Sequence, residues 1–327
     1  MKRTFLATIS LMITLMLASG CQPTPDDHAT DDEMPVLSAA DLVTGESLRV
    51  VATTNIVADV VRNVGGNHID LATLIPVGTD PHTFEPIPQD IAAVADAHVV
   101  FANGAGLETF LDLLLESAGE DVPVVPLSHN IDLIQLEQEG EEEEAEHEHE
   151  HNEVDPHIWF DPQNVMVWAD SIAQALSDLD PGNAEAYAAN AAAYTAELAA
   201  LDGWIEEQIA QIPEPDRQLV TDHTAFSYFT QQYGFEQIGA VFPGYSTLSE
   251  PSAQQLAALE DAIREYEVPA VFVGITVNPD LAQRVADDTG TQLVFLYTGS
   301  LSDESGPAND YLSLMRYNVH AIVDALQ

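Results

Sequence analysis

Three histidines stand in short, stiff contexts where an imidazole could be held ready as a metal ligand. His82 lies in Gly78-Thr79-Asp80-Pro81-His82-Thr83-Phe84-Glu85-Pro86, His157 in Asp155-Pro156-His157-Ile158-Trp159-Phe160-Asp161-Pro162, and His223 in Thr221-Asp222-His223-Thr224-Ala225-Phe226. Two of the three contexts contain Asp-Pro-His. Proline fixes φ and removes a backbone donor, which stiffens the turn that presents the next side chain. A ligand already in position loses less entropy when it binds. Neutral imidazole is a borderline-soft donor that suits zinc. Taken singly, each histidine could also be surface decoration or a satisfied polar group. Their separations, 75 and 66 residues, exclude a compact zinc-finger-like motif, so the fold must bring them together.

The elements that would do so alternate between strand and helix. Residues 48–53, 69–74, 98–101 and 122–126 read as strands, and 56–64, 87–95 and 107–117 as helices, with Asn55 as the cap of the first helix. After a polar interruption, 165–179 and 183–212 read as two long helices separated by Asp180-Pro181-Gly182. The second of these would span roughly 45 Å, a length that suits a spine between lobes better than a helix inside one core. Strands at 218–221, 237–241, 270–273 and 293–296 then alternate with helices at 225–233, 252–266 and 279–289, and a helix at 311–326 closes the chain. The expected class is α/β: two lobes, each a mostly parallel sheet flanked by helices, joined by a long rigid backbone helix. The lobes are placed at 46–163 and 213–327, with linking helices at 164–212. His82 and His157 fall in the first lobe and His223 in the second. Ligands of open α/β sheets lie beyond the carboxyl ends of strands, which places a metal between the lobes.

The first twenty residues read as an export signal: Lys2 and Arg3, then an apolar run from Phe5 to Leu17. Leu17-Ala18-Ser19-Gly20-Cys21 resembles a bacterial lipobox and implies cleavage before Cys21 and a lipid on its sulfur. An ordinary secretory signal with an incidental cysteine is the alternative. Residues 21–45, rich in proline and aspartate, are expected to form an acidic flexible tether. Cys21 is the single cysteine, so no intramolecular disulfide can form.

The chain carries 55 acidic and 8 basic residues, a formal net charge of −47. Nucleic-acid binding needs a basic footprint and is excluded. An acidic surface raises the local concentration of cations; salt adaptation or plain solubility would give the same composition. Within 137–153, His147, His149 and His151 alternate with glutamates. Like charges keep such a loop open, and it could bind metal weakly or serve only as a solvated insertion.

Four segments in order, Pro81 to Pro86, Asp155 to Trp159, His223 to Phe229 and Tyr311 to Asn318, resemble the zinc- and manganese-binding solute receptors of bacterial ABC importers, the ZnuA/TroA-like group with a helical spine. The resemblance covers about residues 46–327. It implies metal ligands at His82, His157 and His223. It also implies zinc as cargo, with manganese as the alternative, and a membrane permease with its cytoplasmic ATPase as partner. The implied working form is a monomer anchored outside the cytoplasmic membrane. The chain has no Gly-x-x-x-x-Gly-Lys phosphate loop and cannot drive transport itself. Many relatives carry an acidic fourth ligand where this chain has Gly299; water, Asp303 or Glu85 could take that place. Three imidazoles with a weak fourth donor favour zinc over manganese. Asn103, Glu108 and Asn318 are expected to pack or to support ligands, and His28, His68, His98, His129 and His320 to be structural. A zinc hydrolase would also use three histidines and water, but no His-Glu-x-x-His motif is present. A periplasmic zinc buffer or an adhesin is the remaining alternative.

Overall fold

The computed structural model describes residues 34–43, 45–119, 122–135 and 154–327. The segments expected to be the export signal, most of the tether with Cys21 and His28, and the Glu/His-rich loop at 137–153 lie outside the described residues. Gln135 and Val154, which flank that loop, pair as an antiparallel bridge.

Two four-stranded parallel sheets carry the described chain. In the first, β1 (Leu48–Ala52), β2 (Ile69–Thr73), β3 (Val99–Ala102) and β4 (Val124–Pro126) lie in the order β2-β1-β3-β4. In the second, β5 (Gln218–Thr221), β6 (Glu236–Ala240), β7 (Ala270–Gly274) and β8 (Gln292–Leu296) lie in the order β6-β5-β7-β8. The two orders are equivalent, so the lobes share one architecture. β3 and β7 are buried at every position, as strands covered on both faces should be.

Helices α1 (Asn55–Gly65), α2 (Pro88–Ala95) and α3 (Leu111–Ala118) belong to the first sheet. Helices α6 (Ser227–Tyr233), α7 (Ala253–Tyr266) and α8 (Asp280–Thr289) belong to the second. Between the sheets run α4 (Pro162–Leu179) and α5 (Ala184–Ile209). The 26 residues of α5 span about 39 Å. α5 packs on α4, on α1 of the first lobe and on the closing helix α9 (Tyr311–Leu326). Its inward residues Tyr187, Ala191, Tyr194, Leu198, Leu201 and Ile205 join a continuous apolar core that reaches Leu48 and Val99 in one lobe and Leu219 and Phe272 in the other. A spine that shares its core with both lobes resists wide hinge motion.

Three expected boundaries are corrected. Thr54, not Asn55, caps α1: its hydroxyl accepts from Val57 N at 3.0 Å. Asn55 instead reaches across to the second lobe, where its Oδ1 accepts from Leu301 N at 2.7 Å. The helix expected from residue 107 begins at Leu111. Glu108 is drawn into the preceding loop, where its carboxylate accepts from Asn103 N, Gly104 N and Thr53 Oγ1. The spine stops at Ile209 rather than 212; tighter turns to Gln208 and Ile209 carbonyls lead into Pro213, which cannot donate.

Candidate metal centre

The three histidines converge. His157 Nε2 lies 3.2 Å from His82 Nε2 and 3.1 Å from His223 Nε2. They form the one group among the described residues whose histidine, cysteine or carboxylate atoms could share a metal ion. Each sits on a segment that leaves the carboxyl end of a strand: His82 after β2, His157 after β4 and His223 directly after β5. Two more such ends complete the surroundings, with Thr276 and Val277 after β7 and Thr298 and Gly299 after β8. The three rings thus gather beyond the carboxyl ends of strands.

Carboxylates orient the rings. Asp155 Oδ1 accepts from His157 N at 2.9 Å and lies 2.7 Å from its Nδ1. Asp222 Oδ1 does the same for His223, at 2.7 and 2.8 Å. An Nδ1–H that donates to a carboxylate leaves Nε2 with its lone pair facing the cluster. Asp80 behaves differently although it opens the same tripeptide as Asp155. Its Oδ1 accepts only from His82 N at 3.0 Å, and its Oδ2 accepts from Thr247 Oγ1 of the other lobe at 2.7 Å. Proline was the expected source of rigidity in these turns; the aspartate two residues before the histidine anchors it as well. The repeated Asp-x-His spacing was the signal in the sequence for Asp80 and Asp155, and the Asp222-His223 adjacency for Asp222.

Further ties hold the frame. Asn103 Nδ2 donates to Pro156 O at 2.9 Å, and Tyr228 OH to Asp155 O at 2.9 Å. Trp159 Nε1 donates across the lobes to Thr298 O at 3.0 Å. Asn318 pairs twice with the Tyr297 backbone at 2.8 Å. Glycine is required at 274, because a Cβ would meet Thr298 Oγ1 at 2.2 Å; its N–H donates to Asp222 Oδ2 at 2.7 Å.

The electrostatics favour a cation. Burial holds the His82 imidazole down at about 2, helped by the neighbouring histidines. Burial also lowers His157, outweighing Asp155. Burial opposes charge on His223 too, but Asp222 beside it, with Asp80 and Asp155 further out, raises it above the ordinary imidazole value. Of the three rings, His223 is therefore the one that most readily holds a second proton, and its Nε2 faces His157 Nε2. Against it stand the buried carboxylates of Asp155 and Asp222, and Asp155 Oδ2 has no hydrogen-bond partner among the described residues. Buried charge of this kind calls for compensation, and a divalent cation on three neutral imidazoles would supply it.

The proposed fourth donors are not at hand. Asp303 is exposed and turns its Oδ1 to Ser305, and Glu85 is exposed; neither joins the histidine group. His68 and His320 pack edge-on against Tyr187 and Trp204, and His98 Nδ1 accepts from Arg49 N. None of these, nor His129, joins the cluster. No helix among the described residues is long and apolar enough to cross a membrane.

Residues 50–325 match the family described as zinc-uptake complex component A, periplasmic. A manganese-binding lipoprotein of Halalkalibacterium halodurans is 34% identical over 317 residues, covering 97% of this chain and 96% of its own. A manganese ABC transporter substrate-binding lipoprotein of Streptococcus anginosus is 33% identical over 293 residues, covering 88% and 91%. The periplasmic zinc-binding protein TroA of Treponema pallidum superposes with a TM-score of 0.77 at 26% identity, over 86% of this chain and 99% of that one.

Proposed function

The chain belongs to the periplasmic zinc-uptake complex component A family, and from that premise we propose that it captures zinc through His82, His157 and His223 and hands it to a membrane permease. It is a metal-binding substrate receptor of an ABC importer, not an enzyme. The observation that carries the zinc reading is the donor set: three Nε2 atoms, with His157 3.1–3.2 Å from the other two, and no carboxylate in the group. Zinc accepts three imidazoles and one further donor, whereas manganese prefers more oxygen. Manganese stays the alternative because two relatives at 33–34% identity are named for it.

The sequence at Cys21, together with the lipoprotein names of those relatives, supports a lipid anchor outside the cytoplasmic membrane. The working unit is one copy of the chain, in two lobes at 46–163 and 213–327 with the linking helices between. The permease would recognise the loaded form by modest loop movement, since the spine shares its core with both lobes.

Competitive titration of zinc and manganese on purified protein tests this. One tight zinc site is expected, lost in the H82A/H157A/H223A variant and kept when residues 141–151 are deleted. Tight binding that survives the triple substitution, or that vanishes with the deletion alone, would sink the three-histidine site and bring a buffering role forward.

A further inference from the structure

Among the described residues the chain supplies three donors and no fourth. Asp80 divides its oxygens between His82 N and Thr247 Oγ1, and Asp222 divides its own between His223 and Gly274 N. Asp155 Oδ1 faces His157 Nδ1, on the ring edge away from the cluster. Position 299 is closed: a Cβ there would lie 2.6 Å and 3.0 Å from Pro81 Cδ and Cγ, so a side chain could start only if the Pro81-His82 turn shifted. Zinc bound to three imidazoles takes at least one more donor. None of the described residues stands ready to give it.

Space for it is arranged in two steps. Against the histidines lies a cavity of about 10 Å³, room for one water-sized atom. Asp80, Thr247, Thr276 and Val277 line this cavity and also line a second, more open hollow of about 420 Å³. A molecule with one donor atom at the metal could therefore keep its body in the hollow. The hollow's chemistry is mixed. Phe242, Val277 and Leu281 are apolar, Thr83, Thr247 and Thr276 bring hydroxyls, and Asn278 brings an amide. On its wall is the Asp280 carboxylate, exposed and in no ion pair among the described residues. A metal cation on one side selects an anionic donor, and a free carboxylate on the other selects a cation. The small solute that carries both charges is a zwitterion.

We propose that this hollow binds a small α-amino acid whose carboxylate supplies the fourth donor to the metal, so that the cargo is a metal–amino acid complex. The proposal rests on the metal-receptor reading above. The carboxylate oxygen occupies the one-atom cavity, the ammonium faces Asp280, and a short side chain lies toward Phe242 and Leu281. Water is the competing donor: it fits the small cavity but makes no use of Asp280.

The test titrates L-alanine into the zinc-loaded chain by calorimetry and into the cobalt(II)-loaded chain while following its d–d absorption. The expected result is one saturable site on the loaded protein, a changed cobalt spectrum, no binding to metal-free protein, and affinity about two- to fivefold weaker in Asp280→Ala. Zinc affinity in amino-acid-free buffer, measured for both chains, tells a lost amino-acid site from a lost metal site. No binding up to tens of millimolar with an unchanged cobalt spectrum overturns the proposal, as does equal binding to the metal-free chain. Failure of zinc itself to bind overturns the receptor reading, and this proposal with it.

Discussion

His157 and His223 each face a carboxylate through Nδ1, yet the two differ in what the carboxylate achieves. Asp155 fails to lift His157 against its burial, while Asp222, with help from Asp80 and Asp155, raises His223 above the ordinary imidazole value and favours its proton. Metal must displace that proton, because Nε2 cannot hold both. Zinc affinity is therefore expected to rise about tenfold per pH unit while His223 is protonated and to level off at a pH above the ordinary imidazole range, where Asp222 has moved its titration. Asp222→Asn removes the charge that holds the proton. It is expected to weaken zinc binding by about 10–100-fold at high pH and to move the levelling-off point to lower pH. Titrations across pH on both chains check this; a purely structural role for Asp222 would weaken binding without moving that point. The three histidine positions were legible because each stands in a stiff turn near a strand end and because all three, in order, match the family resemblance. The role of Asp222 was harder to read, since adjacency to a histidine does not say whether the carboxylate reaches Nδ1. The Gly299–Pro81 contact was beyond the sequence altogether: it joins positions more than two hundred residues apart.

At the scale of elements, the alternation of strand and helix was legible along both lobes, and the errors lie where a side chain overrides a periodic pattern. Glu108 reads as a residue of an amphipathic helix, but its carboxylate serves the backbone of the loop before that helix. Asp59 is a similar case with an energetic consequence. It sits on α1, where polar residues are common, but it is buried and its Oδ2 accepts from Tyr311 N at 3.0 Å, the first residue of α9. It thus caps a helix that starts two hundred and fifty residues later. Burial, with the nearby Asp310 charge, raises its carboxyl to about 6, although the Tyr311 N–H works the other way. In the unfolded chain an aspartate titrates near ~3.9. Between those values the folded state binds more protons, so stability rises as pH falls through about 6 toward 4 and declines again as pH climbs back. The contribution is on the order of 2–3 kcal/mol. Asp59→Asn keeps an oxygen for Tyr311 N and removes the titration. Unfolding free energies of the metal-free chains from urea titrations at acid and neutral pH should differ less in the variant by about that amount; an unchanged difference would place the effect elsewhere.

Over the whole molecule the dominant quantity is charge: 55 acidic residues against 8 basic, two of the latter being Lys2 and Arg3. Composition alone left two explanations open, capture of cations and tolerance of salt, and they make separable predictions. Self-repulsion of the acidic surface weakens the compact state, and salt screens it over about 8–10 Å at physiological strength. Raising monovalent salt should therefore stabilise the metal-free chain, with higher thermal and urea midpoints, whichever explanation holds. Capture adds a kinetic signature. If the surface field draws divalent cations toward the histidines, the association rate for zinc must fall steeply as ionic strength rises, as steered encounters do. The dissociation rate should change little, because His157, His223 and the carboxylates that orient them are buried and poorly screened. Stopped-flow association across ionic strength, using a chelator-buffered zinc source, reads both rates. A steep fall in the association rate alone would assign the acidity a part in metal capture. A flat association rate beside a large gain in stability would leave the charge to salt tolerance and the capture to the three histidines.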